Sequence, residues 1–259
     1  MTGLHWFEYN GKDSRDFGLY IKDKSSFDKP ERNIEFVSIP GRDGDLIIDN
    51  GGYKNVKLKY SLRLIVNKIT GDDQADFAAA YQRAATFLQP VANYYKLKDS
   101  YMPDYYRKAC LMSAISVKQL NPLVADFDVT FSCKPYMYAL KGEDTITIVS
   151  TSSYTSFNNP TNATSKPLIK VFTDDTYNAE TIHKFRLNDV WYQIRGINGY
   201  VYIDCDTMNV YKGSNSKNND YLSMSFPSLV IGTNKARCGS TSESTHVSKV
   251  EIVPRWRRL

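Results

Sequence analysis

Two short acidic clusters are the residues whose types and spacing could do chemistry. The first is Asp174-Asp175, and the second places Asp204 and Asp206 on either side of Cys205. Paired carboxylates can hold a metal ion or divide the acid and base roles of glycoside cleavage. Both clusters follow segments with the pattern of a strand, where acidic residues commonly form turns. We therefore interpret them as turn residues and keep a glycosidase as an alternative hypothesis.

The other residue types used in catalysis and metal binding are dispersed along the chain. The histidines and cysteines do not occur at metal-ligand spacing: His5, His183, His246, Cys110, Cys133, Cys205 and Cys238. A further acidic group, Asp43, Asp45 and Asp49, departs from a calcium loop because Ile47 stands where an oxygen ligand is needed. No nucleophile elbow and no phosphate-binding glycine loop is present. We expect no catalytic residues, no metal site and no cofactor, and hence a protein that is not an enzyme.

The composition is that of a folded protein with little net charge. Of the 259 residues, 42% are apolar, and the formal charge is only +5. The positive excess of the second half is carried by Arg255, Arg257 and Arg258. We therefore expect no broad basic face and no sequence-specific contact with nucleic acid. The first ten residues lack the apolar stretch of a secretion signal, and no run approaches the roughly 18 apolar residues that span a bilayer, so we expect no membrane partner.

Hydrophobic periodicity predicts a chain made mainly of strands. Residues 54–66 alternate between apolar and polar side chains, which predicts a long strand with one buried face. Asp72 precedes apolar residues spaced by three and four, which predicts a helix over about 73–89. Beyond residue 140, short strands recur at spacings of roughly 8–12 residues, as in a β-sandwich or a jelly-roll type domain. The predicted fold is mainly β, with domains 1–139 and 140–259.

Three less regular stretches are assigned by local composition. We predict a short strand over Ser14–Ile21, because apolar residues alternate at its end. Gly51-Gly52 is predicted to break the chain. Ser150–Pro167 is rich in Ser, Thr and Asn and is predicted to be a loop.

A sharp turn is predicted at Pro40-Gly41-Arg42-Asp43-Gly44, between two apolar segments. The proline fixes its own backbone, and the two glycines can take positive φ at low cost. The pattern predicts a strand, a stiff turn and a second strand, with Arg42 and Asp43 at the tip. A charged pair on a stiff turn suits docking onto another protein, and a hairpin with a local salt bridge is the alternative interpretation.

The aromatic residues of the second half raise the possibility of sugar binding. Trp191 and Tyr192, together with abundant Asn, could stack on a sugar ring and contact its hydroxyls. Alternating aromatic residues in strands more often belong to the core and the sheet faces. We keep a carbohydrate-binding protein that contacts the host cell wall as the alternative function.

Several motifs together resemble the distal tail proteins of siphophages, called Dit. The segment Phe7–Leu19 is similar to the opening of that family, and Pro40–Gly44 to its Pro-Gly-Arg-Asp-Gly turn. The segments that resemble its second domain are Tyr202–Cys205, Phe226–Leu229 with Gly232 and Asn234, and Ile252–Trp256. The resemblance runs in order from about residue 6 to the end of the chain.

The resemblance implies an architecture and a role. It implies an N-terminal β-sandwich with one α-helix that closes six copies into a ring, present singly or as two stacked rings, and a C-terminal galectin-like β-sandwich. Such a ring joins the tail tube to the tail tip or baseplate and lets the genome pass through its bore. The implied partners are the tail tube protein, the tail hub or tip protein, the tape measure protein and receptor-binding proteins, with assembly in the host cytoplasm and a final place at the virion tail tip.

The resemblance also directs attention to particular residues. The candidates for contacts between subunits or with the tail are Gly41, Arg42, Asp43, Gly44, Arg255 and Trp256. The chain has the length of a short family member without an inserted carbohydrate-binding module. A galectin-like fold does not by itself confer sugar binding, because function belongs to sites and not to folds.

Overall fold

The computed structural model describes residues 4–24, 28–149, 153–173, 178–239 and 245–259. The chain divides into two compact units, residues 1–137 with Leu259, and residues 138–258. Antiparallel strands dominate both units, and the described residues contain one α-helix. The predicted fold class, mainly β with one helix, is confirmed.

The first unit contains the helix α1, Asp73–Leu88. Its strands are β1 Phe7–Tyr9, β2 Lys12–Asp13, β3 Leu19–Lys24, β4 Arg32–Ser38, β5 Asp45–Tyr53, β6 Val56–Ile65, β7 Tyr95–Asp99, β8 Tyr105–Leu111, β9 Lys118–Asn121 and β10 Val124–Ala139. The main sheet has the order β2-β1-β7-β8-β10-β6-β3, with β9 paired to β10. Strands β4 and β5 pair only with each other.

Strand β6 lies in the interior of the main sheet and supplies much of its core. It pairs with β10 over its whole length, from Val56 opposite Cys133 to Ile65 opposite Val124. Its alternate apolar side chains are all at most 6% exposed: Val56, Leu58, Tyr60, Leu62 and Leu64. The strict alternation therefore places one face of β6 in the core and the charged face outside.

Helix α1 covers this core and begins as its sequence predicts. The Asp72 carboxylate caps the first turn by accepting the backbone N–H groups of Gln74 and Ala75. The buried apolar residues of the helix follow its periodicity: Ala80, Ala84, Phe87 and Leu88. The ring of Phe87 stacks on that of Phe17 with centroids 4.4 Å apart. The helix ends one residue earlier than the predicted 73–89.

A buried ion pair links the end of β3 to the end of β7 in the main sheet. The Lys24 ammonium lies 2.8 Å from the Asp99 carboxylate, and both side chains are less than 10% exposed. The Tyr60 hydroxyl donates to the same carboxylate at 2.6 Å. Burial first, and then the adjacent Asp99 charge, raise the pKa of Tyr60 well above its usual value.

The strand predicted over Ser14–Ile21 is wrong in its first half. Ser14–Phe17 is a turn of 3₁₀-helix, and β3 begins at Leu19. The Asp13 carboxylate accepts the Arg15 N–H at 2.8 Å and starts the helical turn. Gly18 then ends it in a left-handed conformation, with φ of +69°. Short-range capping outweighs the apolar alternation here.

The second unit is a sandwich of two antiparallel sheets. Its strands are β11 Ile146–Val149, β12 Thr155–Asn159, β13 Leu168–Phe172, β14 Ile182–Leu187, β15 Val190–Arg195, β16 Tyr200–Asp204, β17 Asn209–Lys212, β18 Asn215–Ser216, β19 Gly232–Arg237 and β20 Lys249–Val253. The short strand β21, Arg257–Arg258, belongs to neither sheet and pairs with β10. One sheet has the order β11-β20-β13-β16-β17-β18, and the other β12-β19-β14-β15. The core takes alternate residues from both, among them Ile169, Val171, Phe185, Ile194, Val201, Ile203 and Ile252.

One strand of the second unit lies in a segment predicted to be a loop. Strand β12, Thr155–Asn159, pairs with β19 from Thr155 opposite Ala236 to Asn159 opposite Gly232. Asn159 is 2% exposed, and its side chain accepts the N–H and the hydroxyl of Thr161. Polar composition alone predicts a loop, whereas a neighbouring strand and internal hydrogen bonds satisfy these polar groups in a strand.

Candidate functional site

The hairpin of β4 and β5, residues 32–53, is a sheet of its own, and we call it the arm. None of its residues is buried. Its strands have seven and nine residues. At about 3.4 Å per residue the paired part extends roughly 25 Å. An isolated two-stranded hairpin is at best marginally stable in water.

The tip of the arm is the turn expected from its glycines. Gly41 and Gly44 take φ of +80° and +77°. The Arg42 N–H donates to the carbonyl of Ile39 at 3.2 Å. Arg42 and Asp43 are exposed, and within the described ranges neither side chain forms an ion pair. The salt bridge of the alternative interpretation is therefore not formed at this tip.

The arm exposes apolar side chains on both faces. Phe36 and Ile47 lie opposite each other, and each is 60% exposed. The register places Ile34, Phe36 and Ile47 on one face, and Val37, Leu46 and Ile48 on the other. The alternation of apolar and polar residues that marks a strand with one solvated face is absent here.

The base of the arm is anchored by aromatic and backbone contacts. The Arg32 guanidinium carbon lies 5.8 Å from the centre of the Tyr53 ring, which packs edge-on against Tyr136 at 6.1 Å. Gly51 and Gly52 lie inside β5, both with φ of +74°, beside a register shift near Arg32. The predicted break is therefore an irregularity within a strand, because the bulge absorbs both glycines.

Arg255 and Trp256 have roles inside the second unit. The Arg255 guanidinium binds both oxygens of Asp204, with distances of 2.7 Å and 3.2 Å. The Arg255 N–H donates to the carbonyl of Gly142 at 2.7 Å, and the carbonyl of Trp256 accepts the N–H of Ala139 at 2.8 Å. Trp256 is only 5% exposed. These contacts indicate a structural role for both residues.

The acidic cluster around Cys205 is held in a turn. Burial by itself raises the pKa of Asp204, but the hydrogen bonds and charge of Arg255 outweigh burial and hold that pKa below its usual value. The Asp204 carboxylate also accepts the N–H of Asp206 at 3.0 Å. Asp174-Asp175 lies outside the described residues. Among the residues that are described, no group of three or more His, Cys, Asp or Glu side chains is placed to hold a metal ion.

Trp191 and Tyr192 point to opposite faces of their sheet. Tyr192 is 6% exposed and stacks on Phe185 in the core, with ring centroids 5.5 Å apart. Burial raises the pKa of Tyr192. Trp191 lies on the outward face, where three cations stand 5.4–5.6 Å from its ring centre: Lys184, Arg186 and Arg237. The two rings are therefore not available to one sugar from one side.

The outward face of the sheet β12-β19-β14-β15 is strongly basic. We call its five cations the basic face: Lys184, Arg186, Arg195, Lys235 and Arg237. The expectation that no broad basic face exists is wrong for this sheet. The sequence does not reveal this basic face, because positive and negative residues nearly balance along the chain. In the fold, the basic residues lie at outward positions of strands, whereas the acidic residues lie in turns.

The glycine pattern predicts the turn at the tip of the arm, but the sequence interpretation did not predict that both faces of the arm are apolar. The missing signal lies in two pairs of adjacent apolar residues, Phe36-Val37 and Ile47-Ile48. Adjacent residues in a strand point to opposite faces, so such pairs predict a strand that is apolar on both sides. A strand of this kind needs cover on both faces.

The described part of the chain contains no helix with the length and apolar character needed to cross a bilayer. No family model and no curated protein sequence matches the chain. The fold is similar to the crystal structure of SPP1 Dit (gp 19.1), described as a paradigm of the hub adsorption apparatus in phages that infect Gram-positive hosts. The TM-score is 0.71 and the sequence identity 13%, over 96% of this chain and 98% of that chain. The resemblance inferred from short motifs is confirmed at the level of the fold.

Proposed function

We propose that this chain, which has the fold of a Dit hub protein, is a structural component of a phage tail. Six copies close into a ring that joins the tail tube to the tail tip or baseplate, and DNA passes through its bore without sequence-specific contacts. Two observations support this proposal: the likeness of the fold to a tail hub protein, and the exposed arm of the first unit.

The arm is the single observation that carries the proposal of self-assembly. It leaves large apolar side chains exposed on both faces, with Phe36 and Ile47 at 60%. Exposed apolar area of this kind marks protein interfaces. Each face gains about 25 cal/mol for every Å² that a partner covers. In this proposal, the partner that covers the arm is a neighbouring copy of the same chain.

A ring follows from the asymmetry of this contact. An arm that docks onto a different surface of the next copy forms a heterologous interface, and such interfaces close into rings when the rotation allows. The tip residues Gly41, Arg42, Asp43 and Gly44 contact the neighbour or the adjoining tail protein in this proposal. Arg255 and Trp256 act inside their own unit and support the interface only indirectly.

The remaining partners belong to the same proposal. The ring contacts the tail tube protein on one side and the tail hub or tip protein on the other, and the tape measure protein and receptor-binding proteins complete the assembly. The chain performs no catalysis in this role, assembles in the host cytoplasm and ends at the virion tail tip. The proposal is consistent with one ring of six subunits and with two stacked rings of six.

Light scattering coupled to size-exclusion chromatography tests self-assembly through the arm. The wild-type chain is expected to elute with the mass of six or twelve subunits at micromolar concentration. Phe36→Asp with Ile47→Asp places two charges on one face of the arm and is expected to give a folded monomer. Because neither side chain packs in a core, the circular dichroism spectrum stays close to that of wild type, and the melting temperature matches that of wild-type protein diluted until it is monomeric.

The matched control is Val91→Asp, which alters an apolar residue that is 85% exposed and lies outside the arm. This variant is expected to retain the wild-type oligomer. A wild-type protein that stays monomeric at tens of micromolar would contradict the proposal. An oligomer that survives the double substitution would remove the arm from the interface.

A further inference from the structure

The basic face of the second unit is built as a stripe. Arg186 and Arg237 lie directly opposite each other on neighbouring strands. Lys184 and Lys235 each lie two residues away along those strands, and Arg195 stands diagonal to Lys184 across the next strand pair. Cross-strand neighbours are separated by about 5 Å, and neighbours along or diagonally across strands by roughly 7–8 Å. The stripe thus presents five cations at short and nearly regular intervals.

The centre of the stripe is the pair formed by Arg186 and Arg237. The rings of Tyr154 and Trp191 flank the central pair, with the Arg186 guanidinium carbon 5.9 Å and 5.6 Å from their centres. Cation–π contacts hold the guanidinium in place. The Nε atom of Arg186 is nevertheless buried without a hydrogen-bond partner in the described structure.

For four of these cations, Lys184, Arg186, Arg195 and Lys235, the described residues supply only two carboxylates, those of Asp189 and Asp220. Arg186 and Lys235 share the carboxylate of Asp189, at 3.6 Å and 2.9 Å. The hydrogen bond and charge of Lys235 are the main reason that the pKa of Asp189 lies below its usual value. Arg195 reaches Asp220 only at 3.9 Å. For Lys184 the described residues offer no carboxylate within ion-pair distance. An anionic ligand would supply the missing charge.

The position of the cations limits what that ligand is. An extended acidic peptide gains most by pairing its backbone with a sheet edge. The stripe crosses the sheet face, where only side chains are presented, so it suits a polymer whose backbone is itself charged. Guanidinium groups bind phosphate in a bidentate manner.

The aromatic rings argue against recognition of nucleic acid bases. Cations stand over both rings, with Lys235 5.0 Å from the centre of Tyr154 and Lys184 5.5 Å from that of Trp191. A base could stack on either ring only by displacing a cation. The usual platform for single-stranded nucleic acid is therefore already occupied.

We propose that the basic face binds a linear polymer that carries phosphate groups along its backbone and has no nucleic acid bases, through Lys184, Arg186, Arg195 and Lys235. The phosphates lie along the stripe and accept hydrogen bonds from these side chains. The stripe and the arm belong to different units of the chain, so substitutions in the stripe leave the residues of the arm unaltered.

Titration of the full-length protein with inorganic polyphosphate tests the proposal. Binding is expected at low salt, and its affinity is expected to fall linearly with the logarithm of salt concentration. The variant Lys184→Gln with Arg186→Gln is expected to bind on the order of tenfold more weakly, with a salt slope smaller by about 2. The matched control, Lys57→Gln with Lys118→Gln, removes the same charge from exposed positions of the first unit and is expected to bind as wild type.

Four results would overturn the proposal. The first is wild-type protein that does not bind polyphosphate at low salt. The second is a control variant, Lys57→Gln with Lys118→Gln, whose affinity for polyphosphate falls as much as that of the stripe variant, because that result indicates attraction to net charge alone. Polyglutamate binding as tight as polyphosphate would assign the face to an acidic polypeptide. A tighter complex with oligothymidylate than with polyphosphate would assign it to nucleic acid. An unchanged melting temperature of the Lys184→Gln/Arg186→Gln variant separates lost binding from lost folding.

Discussion

The arm and strand β6 follow each other in the chain, yet they place similar residues in opposite environments. The alternate apolar side chains of β6 are at most 6% exposed, whereas Phe36 and Ile47 of the arm are 60% exposed. Strand β6 has paired neighbours on both edges, β10 and β3, and α1 belongs to the same core. Each strand of the arm pairs only with the other, and no further layer of the described chain packs on either face of the pair.

The difference lies in how many faces of each strand are apolar. In β6 the apolar residues share one face, so a single core satisfies them. In the arm they occupy both faces, and the fold of the chain covers neither. The outward charges differ as well. In β6, Lys59 pairs with Asp128 and Arg63 pairs with Asp126. At the tip of the arm, Arg42 has no ion pair among the described residues. A strand with one apolar face is covered by folding, whereas the arm, with two apolar faces, is covered by assembly in the proposed function.

The largest expected effect contrasts one apolar deletion in each region. Leu62→Ala removes a fully buried side chain of β6 and is expected to cost about 2–5 kcal/mol in the free energy of unfolding. Ile47→Ala is expected to change it by less than about 0.5 kcal/mol, because the side chain is already in water. Chemical denaturation of each variant at a concentration where the protein is monomeric measures both. Equal losses would mean that the arm is packed within the free subunit.

A smaller effect is expected from glycines in the two regions. Gly44→Ala at the tip of the arm meets no neighbouring atom, so its cost comes from φ of +77° alone, about 1 kcal/mol. Gly18→Ala is expected to cost more, because its Cβ would overlap the carbonyl oxygen of Ile65 at the end of β6. Melting temperatures of the two variants give the comparison. A larger loss for Gly44→Ala would show that the tip is packed against something in the free chain.

The smallest effect concerns acid. The hydrogen bond to Arg63, reinforced by Lys22, holds the pKa of Asp126 well below its usual value despite partial burial. The folded pKa is the lower one, so this stabilisation is present above the unfolded pKa of about 4 and is lost as the pH falls below it. Asp126→Asn is expected to flatten the decline in stability below about pH 4. Denaturant unfolding of the wild-type protein and of this variant at several pH values measures the difference.

Local pattern was sufficient for the elements whose partners are nearby or whose period is strict. The alternation in residues 54–66 and the cap at Asp72 each specify their element without reference to the rest of the chain. Ser14–Phe17 was mistaken because a capping carboxylate and Gly18 act over three or four residues, below the window of a periodicity argument. Thr155–Asn159 was missed because its strand conformation depends on β19, more than 70 residues away.

The candidate surfaces were predictable only in part. The glycine turn reveals the tip of the arm, but exposure of its sides depends on the absence of a covering layer, which no local pattern reports. The basic face was hidden by the near balance of charge along the chain. Arg186 and Arg237 are 51 positions apart in sequence and become neighbours only through the pairing of β14 with β19.

The two-sided arm has a consequence for the order in which a ring would form. Every open chain of subunits leaves one arm uncovered at one end and one receiving surface empty at the other, whereas a closed circle leaves none. The last subunit therefore adds two interfaces at once, so every open assembly has fewer interfaces per subunit than the complete circle. Mixtures at intermediate concentration should contain free subunits and complete circles and little between them, a cooperative transition that originates in the two apolar faces of one hairpin.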